Sequence, residues 1–543
     1  MKILVADKLA EEGLTYLKES GVAYDVKIGL KEDELAAEVP NYDGLIVRSG
    51  VKATAKVLAN PGILRAIARA GVGVDNIDLD AATGKGILVL NTAAASTLST
   101  AEHAWALLMS LARKVPAADA HVRSGQWKRN NYQGTQLAGK TLGVVGLGRI
   151  GQTVATRALA FEMKVVGFDP FFPNDTALDG RVKMVRDFDE FLKQIDVITF
   201  HVPGGDATKH LLNRERLFNV AKKNLLVIND ARGEVVDEYA LADALKEKKI
   251  AGAAIDVFTV EPPPKDHPLF AVDNAVLTCH LGASTDEAQT AVSVEACKAM
   301  VAFLQTGEIR GAVNAGGIKL DLPPDEAPFA KLASRIGTLL ASYAGGGFKT
   351  ITLRVSGNKA PKHMSTLLRL ATVELLKPHL SDPVNVINVE HVARQRGIEL
   401  VSIHEPSPPA GLVGDIIGLR VQGTDEKGGV ESHRILGTVY ADGLPRVLRF
   451  DNFVVDMVPA GQMVLIENED RPGMIGTVGN AFGESGVNIA DMVLSRDAKP
   501  DGAVNALMVL KVDSAPPPAL VDGLRSRPGI LRVQGVRLPA REA

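Results

Sequence analysis

The sequence predicts an α/β fold with a doubly wound parallel sheet at its centre. Two observations carry this. Short aliphatic and β-branched runs alternate with helical stretches through the first half of the chain, and four of the later runs end in polar or charged residues, as strands do where open α/β sheets bind ligands. A length of 543 residues exceeds one ordinary core and implies about three or four domains.

Taken in order, Leu45-Ile46-Val47, Ala66-Ile67-Ala68 and Ile87-Leu88-Val89-Leu90 are expected strands of a first parallel sheet. Ser99 and Glu102 then form a capping-box pattern, followed by Ala104, Leu107, Leu108 and Leu111 at helical spacing, so a helix is expected to bridge two domains. His103 lies in it with no catalytic partner nearby in sequence and is assigned a structural role.

The run Thr141-Leu142-Gly143-Val144-Val145 leads into Gly146-Leu147-Gly148-Arg149-Ile150-Gly151 and a helix, and the next strand, Lys164-Val165-Val166-Gly167-Phe168, delivers Asp169. This is the pattern of a Rossmann dinucleotide site. Gly146 permits the tight turn, Gly148 lets backbone amides approach a pyrophosphate, and Gly151 lets the helix pack on its strand with its positive end toward the phosphates. A carboxylate at Asp169 accepts from ribose hydroxyls and repels a 2′-phosphate, which favours NAD over NADP.

Further strands are expected at Val197–Phe200, Leu225–Ile228, Ala253–Ile255 and Ala275–Thr278, ending at His201-Val202-Pro203, Asn229-Asp230-Ala231-Arg232, Asp256-Val257-Phe258 and Cys279-His280. These ends converge on one crevice. An acidic, proline-containing linker follows at Leu320–Asp325, then an α+β stretch from about Phe329 to Val458 without obvious chemistry, and from Gln462 a small βαββαβ sandwich.

Hydrophobic residues make up 46% and charged residues 23%, and no apolar run is long enough to cross a bilayer, so a globular chain without a membrane role is expected. The start enters a strand directly and lacks a secretory signal, which points to the cytoplasm. Two cysteines, Cys279 and Cys297, exclude a disulfide framework and a cysteine-rich metal site, and no metal is expected. A formal net charge of -3 argues against nonspecific nucleic-acid binding while leaving room for a local basic pocket.

Interconverting an alcohol and a ketone with NAD requires a base, a cation to hold and polarise the substrate, and a nearby nicotinamide. His280, Glu261 and Arg232 are candidates. They stand in His280-Leu281-Gly282-Ala283-Ser284-Thr285, Asp256-Val257-Phe258-Thr259-Val260-Glu261-Pro262 and Ala231-Arg232-Gly233. With Val47-Arg48-Ser49-Gly50, Arg69-Ala70-Gly71-Val72-Gly73-Val74-Asp75-Asn76 and Asn468-Glu469-Asp470-Arg471-Pro472-Gly473, these stretches resemble the D-isomer-specific 2-hydroxyacid dehydrogenases, in particular long-form members acting on 3-phospho-D-glycerate.

The resemblance implies a Rossmann domain (99–288) inserted in a flavodoxin-like substrate domain (1–98 and 289–318), then an intervening domain (319–458) and a ferredoxin-like ACT domain (459–543). It implies that His280 is the general base, that Glu261 orients it, and that Arg232 grips the substrate carboxylate and C2 oxygen. Asp256, Asp230, Ala231, Gly282, Ala283, His201, Val202, Pro203 and the Arg149-Ile150 amides would line the cofactor.

Arg48, Ser49, Arg69, Asn91, Trp127 and Arg129 would bind the substrate, with Trp127 and Arg129 reaching a neighbouring subunit's site in a homo-oligomer, dimer or tetramer. Asn468, Asp470 and Asn488 correspond to an amino-acid site, with L-serine as a candidate effector and assembly as the competing role. Glu234 replaces a usual glycine and brings a negative charge near the anion site. Another D-2-hydroxyacid dehydrogenase, with 2-oxoglutarate as an alternative substrate for reduction, and a nonenzymatic NAD-sensing protein are the alternatives.

Overall fold

The computed structural model of the chain describes residues 1–345, 347–424, 429–498 and 504–540. Four sheets follow one another. The first has five parallel strands in the order Ala23–Val26, Lys2–Val5, Gly44–Val47, Ala66–Arg69, Leu88–Asn91, which is the 2-1-3-4-5 order of flavodoxin-like folds. Gly44–Val47 is buried throughout because helices cover both faces, so its sequence runs apolar instead of alternating.

The second sheet is doubly wound, in the order Ala275–Leu277, Gly252–Ile255, Leu226–Asn229, Val197–Phe200, Thr141–Val145, Lys164–Phe168, Val182–Met184, Thr176–Ala177, with only the last pair antiparallel. Its order reverses beside Thr141–Val145, so a crevice opens at the carboxyl end of that strand, where the glycine turn lies.

Two helices join these sheets. Thr97–Arg113 buries Ala104, Leu107, Leu108 and Leu111 as their spacing requires, but it starts at N-cap Ser96, and the expected capping box is not formed. Ser99 Oγ instead lies 2.7 Å from Thr285 Oγ1. Thr285 is itself the N-cap of Asp286–Thr306, accepting from the Ala288 amide. That second helix returns to pack on Glu11–Glu19, where Gly13 lies so close to Ser293 that a Cβ would fit only tightly. The expected divisions at 98/99 and 288/289 therefore fall inside continuous helices.

The third sheet orders as Glu399–His404, Phe348–Ser356, Ile416–Thr424, Val430–Val439, Pro445–Phe450, Phe453–Met457, covered by Ala327–Tyr343 and Met364–Leu376. These helices cross closely because Gly337 faces the Ala371 carbonyl. The fourth is antiparallel, Ile489–Ala498, Val504–Val512, Gln462–Glu469, Ile530–Arg537, with helices Met474–Glu484 and Pro518–Arg525, giving the expected βαββαβ order. Among the described residues, no helix is long and apolar enough to cross a membrane.

Candidate active site

The glycine turn is built as its spacing requires. Gly146 adopts φ 86°, a conformation that disfavours side chains, and a Cβ at Gly151 would overlap the Gly146 carbonyl. Gly148 is exposed with open space around it. It caps helix Arg149–Ala160 without any side-chain bond, so the first-turn amides of Arg149 and Ile150 remain available to an anion. Asp169 folds back on the turn, accepting from the Leu147 amide at 2.9 Å and the Phe171 amide at 2.9 Å.

On the far side of the crevice, His280 projects from backbone at φ 60°, in the left-handed region where a non-glycine residue is uncommon. The His280 amide donates to the Asp256 carbonyl at 2.8 Å, which fixes that conformation. Its Nδ1 lies 2.7 Å from Glu261 Oε2, and Glu261 is held by the Phe258 amide at 3.0 Å. Nδ1 is thus engaged and Nε2 is the free nitrogen.

Arg232 reaches across from the second sheet to the first. Its Nη2 lies 3.1 Å from Asp75, in the loop after Ala66–Arg69, and a Cβ at Gly73 would overlap the guanidinium. Burial opposes the Asp75 charge, but the Arg232 charge and hydrogen bond, a backbone hydrogen bond and the Arg69 charge together lower the carboxyl pKa. Asn91 holds the same loop by donating to the Val72 carbonyl at 2.6 Å.

Arg69 is oriented by Asn76 Oδ1 at 2.9 Å, and Asn76 donates to the Arg48 and Val51 carbonyls at 2.7 and 2.6 Å. Burial and then the nearby Arg232 charge lower the Arg69 pKa, with Arg48 adding to the repulsion, so three guanidiniums crowd one pocket. Arg48 donates to the Lys8 carbonyl and to Gln289, a residue of the returning helix. Such a cluster calls for an anion. The Glu234 carboxylate accepts from the Gly205 amide of the neighbouring loop.

Residues 105–282 match the D-isomer specific 2-hydroxyacid dehydrogenase NAD binding domain, residues 326–451 the D-3-phosphoglycerate dehydrogenase intervening domain, and residues 462–531 the ACT domain. The chain is 39% identical over 538 residues to D-3-phosphoglycerate dehydrogenase of Archaeoglobus fulgidus, covering 99% of this chain and 100% of the relative. It is 36% identical over 546 residues to that of Bacillus subtilis, again covering 99% and 100%. A solved Thermus thermophilus structure of 38% identity aligns with TM-score 0.53 over 58% of this chain and 100% of its own. A glyoxylate reductase from Paecilomyes thermophila, 28% identical, aligns with TM-score 0.54 over 58% and 98%.

The chain belongs to the D-3-phosphoglycerate dehydrogenase family.

The second domain is the NAD-binding domain of this family member, and its residues fit the cofactor. The uncapped helix end suits the pyrophosphate, Asp169 stands beside the turn, and the buried ring nitrogen His201 Nδ1 has no protein hydrogen-bond partner. His201 bonds Thr199 Oγ1 through Nε2 at 3.0 Å, and burial drives its pKa down to about 3, so the ring is neutral. Val202 and Pro203 follow it, Ala231 is buried beside Arg232, and Ala283 accepts from Gln289 at 2.6 Å.

His103, assigned a structural role, places its Nε2 3.2 Å from Asp256 Oδ1 and 3.4 Å from Thr278 Oγ1. Asp75, Asn76, Gln289 and Thr278 are further site residues that the linear reading missed. Asp75 shows its role only through its contact with Arg232 across the cleft, and Asn76 through its bonds to Arg69 and the Arg48 and Val51 carbonyls.

Two expected groups stay apart from the cleft. Trp127 is 82% exposed, and among the described contacts neither it nor Arg129 bonds to a cleft residue. In the ACT domain, Asn468 is buried and Asp470 is paired with Arg496 at 3.1 Å, while Asn488 donates to Asp513 at 2.8 Å. Asn468 pairs with Ala506 and Gln462 with Val512, so Asn488, beside the latter pair, sits about six strand residues or roughly 20 Å from Asn468. One chain cannot join these three side chains around one ligand.

Proposed function

We propose that the protein oxidises 3-phospho-D-glycerate to 3-phosphohydroxypyruvate with NAD, the first step toward L-serine. The reading rests on one arrangement: Arg48, Arg69 and Arg232 crowd one pocket, and Gly233, next to Arg232, packs on Phe258, whose amide holds the Glu261 of the Glu261-His280 pair. Arg232 grips the substrate carboxylate and C2 oxygen with its planar fork, and Arg48 and Arg69 receive the phosphate. His280 Nε2 takes the hydroxyl proton, and Glu261 stabilises the imidazolium through Nδ1. Bound NAD supplies the hydride acceptor. Asp75 holds Arg232 until the substrate carboxylate displaces it.

Steady-state kinetics with 3-phosphoglycerate and unphosphorylated glycerate test this. A preference of at least about a hundredfold in kcat/KM for the phosphorylated acid is expected from loss of a charge-assisted contact set. Equal efficiencies would assign the chain to another D-2-hydroxyacid.

The proposal extends to a cytosolic homo-oligomer. The free thiols Cys279 and Cys297 support the compartment, and the exposed Trp127 supports assembly. The ACT domain takes an amino-acid effector, L-serine by the side chains offered, at a site completed by two copies.

A further inference from the structure

Glu261 stands on a segment without helix or strand, between strand Gly252–Ile255 and the short turn Pro268–Ala271, and the run Thr259-Val260-Glu261-Pro262 is exposed. An exposed run of this kind does not fix a side chain by its own packing. Its anchors lie in the interior. Glu238, the first residue of helix Glu238–Lys246, is buried, and its carboxylate serves both ends of the segment. Oε1 accepts from the Thr259 amide at 2.7 Å, and Oε2 lies 3.2 Å from Nε2 of His267, which is only 4% exposed. His267 Nδ1 has no partner. A proton there would be a buried donor without an acceptor, so the ring carries its proton on Nε2 and donates it to Glu238. Phe258 meets the His267 ring edge to face at 5.4 Å, which sets the ring plane.

From this pair a short chain of bonds leads to the cleft. Thr259, tied to Glu238, follows Phe258, whose amide donates to Glu261 Oε1 at 3.0 Å, and Glu261 Oε2 lies 2.7 Å from His280 Nδ1. A Cβ at Gly233 would overlap the backbone of Phe258 and Thr259, so the segment also rests directly on the neighbour of Arg232. We propose that Glu238 and His267 are positioning residues for the reaction, tying both ends of the segment so that Glu261 is held against His280, a role that rests on the reading of His280 as the base. Neither residue touches the substrate.

Kinetics of the full chain with 3-phosphoglycerate and NAD test this. Glu238→Ala should lower kcat by about tenfold, and by no more than Glu261→Gln does, while KM for either substrate stays within about twofold. Its kcat should rise with pH at a lower pH than in wild type, because an imidazolium with a displaced carboxylate loses its proton more readily. In the Glu261→Gln background the same change should cost no more than about twofold, since Glu261 is the route of the effect. Equal losses in both backgrounds, or an unmoved pH profile with only a lower Tm, would overturn the proposal. Glu238→Gln keeps an acceptor for Thr259 and loses the His267 end, so it should fall between wild type and Glu238→Ala, and the same cycle is read on it if Glu238→Ala does not fold. Histidine-labelled NMR of the full chain, with the His280 signal identified by its loss in His280→Ala, decides the matter without turnover. His280 should titrate at lower pH in the Glu238 variants, and an unchanged midpoint would overturn the proposal. A wild type that does not oxidise 3-phosphoglycerate would instead overturn the reading beneath it and leave the titration to decide the positioning role.

Discussion

At the residue scale, the site works by fixing one nitrogen so that the other is free. With Nδ1 of His280 held at 2.7 Å by Glu261, only Nε2 can exchange a proton with substrate. His280→Ala should cut kcat by about a hundredfold to ten-thousandfold while NAD affinity, measured by calorimetry, changes little. Glu261→Gln, which keeps the shape but removes the charge, should lose less. A His280→Ala enzyme with near-normal kcat would remove this residue from the mechanism.

His201 carries a different consequence. Its folded pKa of about 3 lies below the ordinary 6.5, so between those values the unfolded chain binds the extra proton and the fold loses stability as pH falls. Denaturant melts from pH 7 to 4 should show a contribution of up to about 1.4 kcal/mol per pH unit. His201→Gln should lack it.

At the element scale, the glycine turn was legible because its chemistry is local: a positive-φ residue, a close approach and an uncapped helix end all follow from consecutive residues. The strand ends were legible for a similar reason, since polar residues there can be counted along the chain. Contacts across the cleft were not. The Asp75-Arg232 and His103-Asp256 pairs join residues far apart in sequence, and nothing in either neighbourhood names its partner.

The capping pattern at Ser99 misled because Thr97–Arg113 starts earlier and Ser99 bonds to Thr285, the N-cap of the other joining helix. Thr285→Ala removes the cap of Asp286–Thr306 as well as that link, and should cost about 1 kcal/mol in chemical denaturation. Ser99→Ala loses only the hydroxyl contact and should cost less. A Thr285 variant as stable as wild type would show that Asp286–Thr306 does not depend on the cap.

At the scale of the whole molecule, the question is whether one chain completes its own site. The loop before Arg129–Tyr132 is ordered by the Lys128 amide donating to His121 Nε2 at 3.1 Å and by the His121-Tyr132 ring contact, yet it presents Trp127 outward. An ordered, projecting aromatic with an adjacent cation is the form of an interface anchor that delivers a charge to a neighbour. If Arg129 serves the partner's phosphate pocket, Arg129→Ala should raise KM for 3-phosphoglycerate with a smaller effect on NAD binding. Mixing then separates the two architectures. In a hybrid of Arg129→Ala and His280→Ala chains, the chain with an intact His280 receives Arg129 from its partner and regains a complete site. Random reassembly into dimers should restore roughly a quarter of wild-type sites, measured at substrate concentrations below KM. Activity no higher than the two parents, in hybrids verified by mass, would show that each chain uses only its own residues, and the exposed Trp127 would then need another explanation.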